Sequence, residues 1–285
     1  MARPRTEPAH LPSFPCIQQG ATCQLVFIRL NEKSERSAVI SAERASADGR
    51  PYMTTILVGP GQHFASALLS EFSAISRDLV LVARHHDRLE ALAAEARGYG
   101  FETVRIVVSD VLDPAFGDRL IAALDGLGPV RAVIFNIKVS PRGSLRDIET
   151  DDFSSALSAN VSGSLAVLQV MVRTGFPRVP GAAFINTGGG FKDCPDSSRL
   201  ALSVSKAGLH NLTLATQLEL RRYGILVKTL VIDGVVRDEG PIRPRDVAAR
   251  MRDLVMSRSV VMRVRVEDST QLTLFDRDDT SVHAV

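Results

Sequence analysis

Three segments carry residues whose types and spacing could do chemistry. The first is Gly59-Pro60-Gly61-Gln62-His63-Phe64-Ala65, which follows the apolar run Thr54 to Val58 and leads into an amphipathic stretch ending at Phe72. A glycine-bearing turn between strand and helix brings bare backbone to the positive end of a helix dipole, where phosphate binds readily. The same turn could equally do no more than connect the two elements. The second segment, Arg84-His85-His86-Asp87-Arg88, closes the run Asp78 to Ala83. A planar guanidinium at that point can stack on a base and pair with a phosphate, and no acidic side chain ends the strand to hold a ribose diol. A solvated basic helix start is the alternative. The third is Leu202-Ser203-Val204-Ser205-Lys206-Ala207-Gly208-Leu209, in which Lys206 follows Leu202 by one helical turn.

The elements that must position these segments are legible in the apolar pattern. From Met53 onward, the runs 54–58, 78–83, 103–109, 131–136, 181–187 and 225–232 alternate with longer helical patterns, and 259–266 is a candidate seventh strand. Such alternation predicts βαβ units and a parallel sheet. The runs are almost continuously apolar, as strands are when helices cover both faces. The expected fold is therefore α/β, a doubly wound parallel sheet of Rossmann type with its ligand crevice at the carboxyl ends of the strands. Residues 1–52 form an N-terminal extension, partly disordered over its proline-bearing first 22 residues, with one candidate strand at Gln24 to Arg29. Residues 53–266 form the single domain, and 267–285 a tail.

With these motifs in place the chain resembles the short-chain dehydrogenase/reductase family. The segment Val58 to Ala65 overlays the family's TGxxxGxG fingerprint with Gly59 in register, while His63 and Ala65 stand at the other two glycine positions. Arg84 resembles the arginine of NADP-preferring members. Asp110 matches the acidic residue after the third strand that holds the adenine amino group, although a loop-starting aspartate is also an ordinary helix cap. Asn136 is the retained asparagine of an NNAG-like turn whose last glycine is replaced by Lys138. Asn160-Val161-Ser162-Gly163 resembles the NVxG segment whose asparagine organises a water relay; a packing kink is the other reading. Lys206 matches the lysine of the YxxxK signature, but Leu202 stands where the tyrosine belongs and Gly189 where the serine belongs. Asp233-Gly234 replaces a proline-glycine turn, and only Val235 to Arg243 remains to build a lid.

The resemblance implies a cofactor, weakly bound NADP, held by Gly59, Gly61, His63, Arg84, Asp110, Asn136 and Lys206, with Lys206 and Asn160 the remaining catalytic candidates. It also implies a homodimer or homotetramer through the helices 153–172 and 203–223. The tyrosine that would donate a proton to a substrate carbonyl is absent. Two function classes follow: an NADP-binding oxidoreductase homologue with impaired or altered reductase chemistry, or a non-catalytic Rossmann-type binding or scaffold protein.

Composition narrows the partners. The 34 basic and 32 acidic residues nearly cancel, which gives no reason to expect nucleic acid or a membrane surface. No run approaches the roughly 20 apolar residues of a bilayer span. The three cysteines, Cys16, Cys23 and Cys194, have neither disulfide-like nor metal-ligand spacing, so a cytoplasmic location and no metal are expected.

Overall fold

Strand β1 (Thr54–Val58) lies in the interior of a seven-stranded sheet, and its position follows from its residues: all five side chains are buried. The computed structural model describes residues 52–173 and 178–265. The expectations for the N-terminal extension up to residue 51, including the strand at Gln24 to Arg29, and for the tail beyond residue 265, lie outside the described residues. After β1 come α1 (Gln62–Phe72), β2 (Asp78–Ala83), α2 (His86–Gly98), β3 (Thr103–Val108), α3 (Phe116–Leu124) and β4 (Val130–Phe135). The second half contains α4 (Thr150–Leu157), a π turn (Ser158–Ser162), α5 (Gly163–Arg173), β5 (Arg178–Gly189), α6 (Leu200–Leu220), β6 (Ile225–Asp233), α7 (Pro244–Met256) and β7 (Val261–Arg265).

The strand order is β3-β2-β1-β4-β5-β6-β7, and every pairing is parallel. This is the doubly wound α/β sheet the apolar runs predict. Successive side chains of one strand serve opposite cores. Leu57, Leu79, Leu81 and Ile134 pack with Leu68, Phe72, Leu89 and Met251 from α1, α2 and α7, while Ile56, Val58, Val80 and Phe135 pack with Phe116, Leu120, Val167 and Met171 from α3 and α5. The strand order reverses between β1 and β4, so their carboxyl ends open the crevice in which such sheets bind ligands.

Local departures from the expected boundaries have physical causes. β5 begins at Arg178 rather than at residue 181, because its pairing with β4 jumps from Val130↔Arg178 to Ala132↔Ala183 around Gly181, whose φ is 76°. The last strand is the five residues of β7. The helix expected from residue 153 starts at Thr150 and is interrupted by the π turn. Thr150–Arg173 is 24 residues long and reaches a mean hydropathy of 1.4, enough by length and composition to cross a bilayer; Val167, Leu168 and Met171 are instead buried under the sheet.

Two buried polar devices tie layers together. Lys228, 1% exposed, donates to the carbonyls of Leu254 (2.7 Å) and Ser257 (2.6 Å), and so caps the C-terminus of α7 from the neighbouring strand. Asn186 on β5 accepts from Ser164 Oγ of α5 at 2.8 Å and donates to Thr213 Oγ1 of α6 at 2.9 Å, and Thr229 of β6 donates to the same Thr213 at 2.8 Å.

Candidate functional site

The crevice is built on the turn after β1. Gly59 has a φ of 68°, and a Cβ there would come within 2.6 Å of Ile137 Cγ1 and 3.0 Å of the Ile137 nitrogen. Only glycine allows that approach of the first turn to the loop after β4. Asn136 secures it: its backbone nitrogen donates to Val58 at 2.8 Å and its side-chain amide to the Gly59 carbonyl at 3.3 Å. Gly61 is the N-cap of α1 in extended conformation, and the nearest atom to a Cβ there would be the Asn136 amide at 3.7 Å. Ala65 is fully buried in the core with Leu57 and Leu81, so its methyl packs helix on strand and stays out of the turn. His63 lies in the first turn of α1, with its side chain outside the described part of the structure.

Arg88, which the motif reading passed over, reaches from α2 and donates to the Pro60 carbonyl at 2.6 Å. The basic segment ending in Arg88 was visible; its contact with a turn 28 residues earlier was not. At the ends of β2 and β3, Arg84 and Asp110 approach to 3.9 Å, both well exposed. Asp110 also accepts the Leu112 backbone N–H at 2.9 Å, a turn contact inside the loop; α3 begins at Phe116 behind Ala115 with no side-chain cap, so the helix-cap reading of Asp110 does not hold.

The other side of the crevice is formed by β4, β5 and α6. Lys206 is 5% exposed, and its Nζ donates to the Thr187 carbonyl at 2.6 Å. Burial, reinforced by the nearby charge of Lys138, pulls this amine down to about 8. Lys138 itself is exposed. A Cβ added at Gly189 would meet only the methylene carbons of Lys206, at 3.5 to 3.7 Å, so position 189 lies directly against the lysine. Leu202 is buried nearby on the preceding turn of α6. The hydroxyls beside it are committed elsewhere: Ser205 Oγ to the Ala201 carbonyl at 2.6 Å, and Ser203 Oγ to the Asp196 backbone at 3.0 and 3.3 Å. Thr187 Oγ1 is buried without a hydrogen-bond partner among the described residues. No tyrosine substitutes. Tyr52 packs against Gly128 at the amino end of the sheet, and Tyr99 and Tyr223 are exposed, the latter under Arg222.

Asn160 sits in the π turn and is fully buried; its oxygen accepts the Val139 N–H at 2.8 Å and its nitrogen donates to the Val139 carbonyl at 2.7 Å. This asparagine closes both hydrogen bonds on one residue of the loop after β4. Beyond β6, Asp233 pairs with Arg263 at 3.1 Å, Arg263 pairs with Asp193, and Asp193 with Lys192 at 2.6 Å. Burial would lower Arg263, but Asp193 and Asp233 outweigh it and raise the guanidinium. A Cβ at Gly190 would lie 2.0 Å from Asp233 Oδ1. The segment proposed as a lid is folded back on itself, with a bridge between Val236 and Ile242 and an Arg237 N–H bond to the Ile242 carbonyl at 3.1 Å.

The residues singled out from sequence therefore fall into two groups on either side of the switch point: Gly59, Gly61, Asn136, Arg84 and Asp110 at one side, Lys206 and Asn160 at the other. The open backbone at Gly61 and the exposed Arg84 fit the adenosine and phosphate part of a dinucleotide. The proton-donor position does not fit the chemistry of carbonyl reduction.

Comparison with known proteins agrees with this architecture. A family model described as short chain dehydrogenase matches residues 54–238. A sulfoacetaldehyde reductase of Chromohalobacter salexigens is 28% identical over 177 residues, covering 61% of this chain and 69% of that protein. An uncharacterised oxidoreductase of Staphylococcus epidermidis is 23% identical over 180 residues, covering 61% of this chain and 74% of the relative. Among solved structures, a short chain dehydrogenase from Burkholderia cenocepacia in complex with NADP superposes with a TM-score of 0.66 at 19% identity, over 76% of this chain and 97% of the other. A 3-oxoacyl-[acyl-carrier protein] reductase from Brucella melitensis in complex with NAD gives 0.61 at 21% identity, over 72% and 90%. At these identities the structural likeness speaks for the fold alone.

The Asn160 geometry generates a prediction. Asn160→Ala would leave the half-buried N–H and carbonyl of Val139 without their side-chain partner, and is expected to lower stability by about 2 kcal/mol in chemical denaturation. Unchanged stability would show that the side chain is not the brace of this loop.

Proposed function

The chain belongs to the short-chain dehydrogenase family, and from that premise we propose that it binds NADP in the β1–β4 crevice with little or no carbonyl reductase activity by the family mechanism. The observation that carries the first half is the combination of a turn that packs at Gly59 against the loop after β4 and is open at Gly61 with Arg84 exposed at the end of β2 and no acidic side chain ending that strand. The observation that carries the second is Leu202 in front of Lys206, with Gly189 opposite it and both neighbouring serine hydroxyls engaged. Bound NADPH would supply hydride; with leucine at the proton-donor position, only water or the Lys206 ammonium remains to protonate the resulting alkoxide, a slow route. The positions that bind a dinucleotide are thus better kept than those that turn over a substrate, which also supports a second reading, a non-catalytic binding protein. Three cysteines without disulfide-like spacing support a cytoplasmic location.

Self-association belongs to the same proposal. α6 packs on the sheet through Leu202, Lys206, Leu209, Thr213, Gln217 and Leu220, which leaves Val204 (41% exposed) and Leu218 (77%) facing outward, with Leu165 and Val172 of α5 also partly exposed. Val204, Leu212, Ala215 and Leu218 also recur at near-helical spacing along this helix but are not the sheet-packing stripe, and a second copy of the chain is a natural cover for them. Sedimentation is expected to give a dimer or tetramer at micromolar concentration; a monomer would sink this part of the proposal.

Calorimetric titration is expected to give tighter binding of NADPH than of NADH, with the preference lost in Arg84→Ala. Lys206 carries its proton below pH of about 8, so affinity for an anionic dinucleotide should fall as pH rises through that value, and the fall should vanish in Lys206→Met. Equal affinities for the two cofactors, or a preference untouched by Arg84→Ala, would count against the cofactor assignment.

General acid catalysis contributes on the order of 10² to 10⁴ in rate, so the wild-type protein should be nearly silent on a panel of aldehydes, ketones and quinones with NADPH. The Leu202→Tyr, Gly189→Ser double variant is sterically accommodated at position 189 and should gain activity over its parent. Wild-type turnover equal to that of an ordinary dehydrogenase would overturn the proposal.

A further inference from the structure

A cavity of about 500 Å³ opens where the loop after β4 meets the start of α6, lined by Arg142, Gly143, Ser144, Asp147, Ser198 and Arg199. The two segments are pinned together: the Gly143 N–H donates to the Ser198 carbonyl at 3.1 Å, and Gly143 and Arg199 form a parallel bridge. Arg142 and Arg199 are thereby brought to one cavity by fixed backbone rather than by chance of side-chain rotation. Neither guanidinium forms a hydrogen bond or ion pair with a side chain among the described residues. The carboxylates nearby are already engaged. Asp147 accepts from Ser144 Oγ at 2.5 Å and from its N–H at 3.4 Å, and Asp196 accepts from the Ser198 N–H at 2.8 Å and its Oγ at 2.7 Å. The charge of Arg199 contributes to holding the Asp196 carboxyl below its usual range, after the Ser198 hydrogen bonds, but the two residues meet only through the Arg199 N–H and the Asp196 carbonyl at 3.0 Å, with no ion pair between their side chains.

Arg199 is also the residue immediately before α6, and that helix has no side-chain cap and no acidic residue in its first turn. A cation at this end of a helix is opposed by the helix dipole, so the local sequence is unfavourable unless an anion joins it. We infer that this cavity binds an oxyanion group, carboxylate or phosphate, of a small molecule, held by Arg142 and Arg199 where the loop after β4 meets the start of α6. Planar guanidiniums suit such groups because they present paired donors to two oxygens at once. None of its lining residues belongs to the turn after β1 or to the end of β2, so it stands or falls apart from the dinucleotide reading.

The test is calorimetric titration of the full chain with inorganic phosphate and, separately, with succinate. Binding of at least one is expected, and the tighter of the two identifies the oxyanion. Arg142→Gln and Arg199→Gln should each weaken it about tenfold, the order expected for loss of a charge-assisted contact. Arg146→Gln, an exposed arginine of the same loop, should leave it unchanged, as should saturation with NADPH. Arg142 is exposed, so its replacement leaves the fold intact even if the Arg199 variant is unstable. No binding of either anion, binding indifferent to both substitutions, or binding abolished by saturation with NADPH would overturn the inference; failure of NADPH to bind would leave it standing.

Discussion

The buried amide of Asn186 is the constraint on which the rest of the crevice depends. It is fully enclosed at the centre of β5, and each of its polar ends must find a partner in a region water does not reach. Ser164 from α5 and Thr213 from α6 provide them, and Thr229 of β6 closes the set. Four elements are thereby fixed at one point, and α6 has no freedom to slide along the sheet. Lys206 lies two turns before Thr213 on the same helix, so its reach to the Thr187 carbonyl, one residue beyond Asn186, follows from that anchoring. An apolar contact of the same size would hold the helix as firmly but would not specify its register.

How much of this could be read in advance depended on whether the cause was local. The strands were legible because helices cover both faces of the sheet, so each strand is a continuous apolar run; β5 was cut short in that reading because its first residues precede the irregularity at Gly181. The turn at Gly59 was legible because a left-handed backbone calls for glycine. Packing on α6 was not, because two stripes with helical spacing run along it and only one can meet the sheet. The Arg88 contact to Pro60 and the chain from Lys192 through Asp193 and Arg263 to Asp233 join residues distant in sequence, with no periodicity to announce them.

The two sides of the crevice therefore differ in physical character. Around β1 and β2, backbone and exposed basic side chains are left open to an incoming charged group. Around β5, β6 and β7, side-chain hydrogen bonds and ion pairs are closed upon one another, and the polar groups nearest Lys206 already have partners, Thr187 Oγ1 excepted. A ligand entering the first side displaces water; one entering the second has to compete with protein.

Gly189 and Gly190 are adjacent but not equivalent. A side chain at 189 meets the flexible methylenes of Lys206 at ordinary contact distance, whereas one at 190 runs into the carboxylate that Arg263 holds in place. Residue 190 is consequently tied to residue 233 in its evolutionary freedom: as long as the Asp233–Arg263 pair persists, 190 is frozen as glycine, while 189 can drift through small residues almost without penalty. Divergence at the lysine side is thus reversible one step at a time, and divergence at the aspartate side is ratcheted by epistasis.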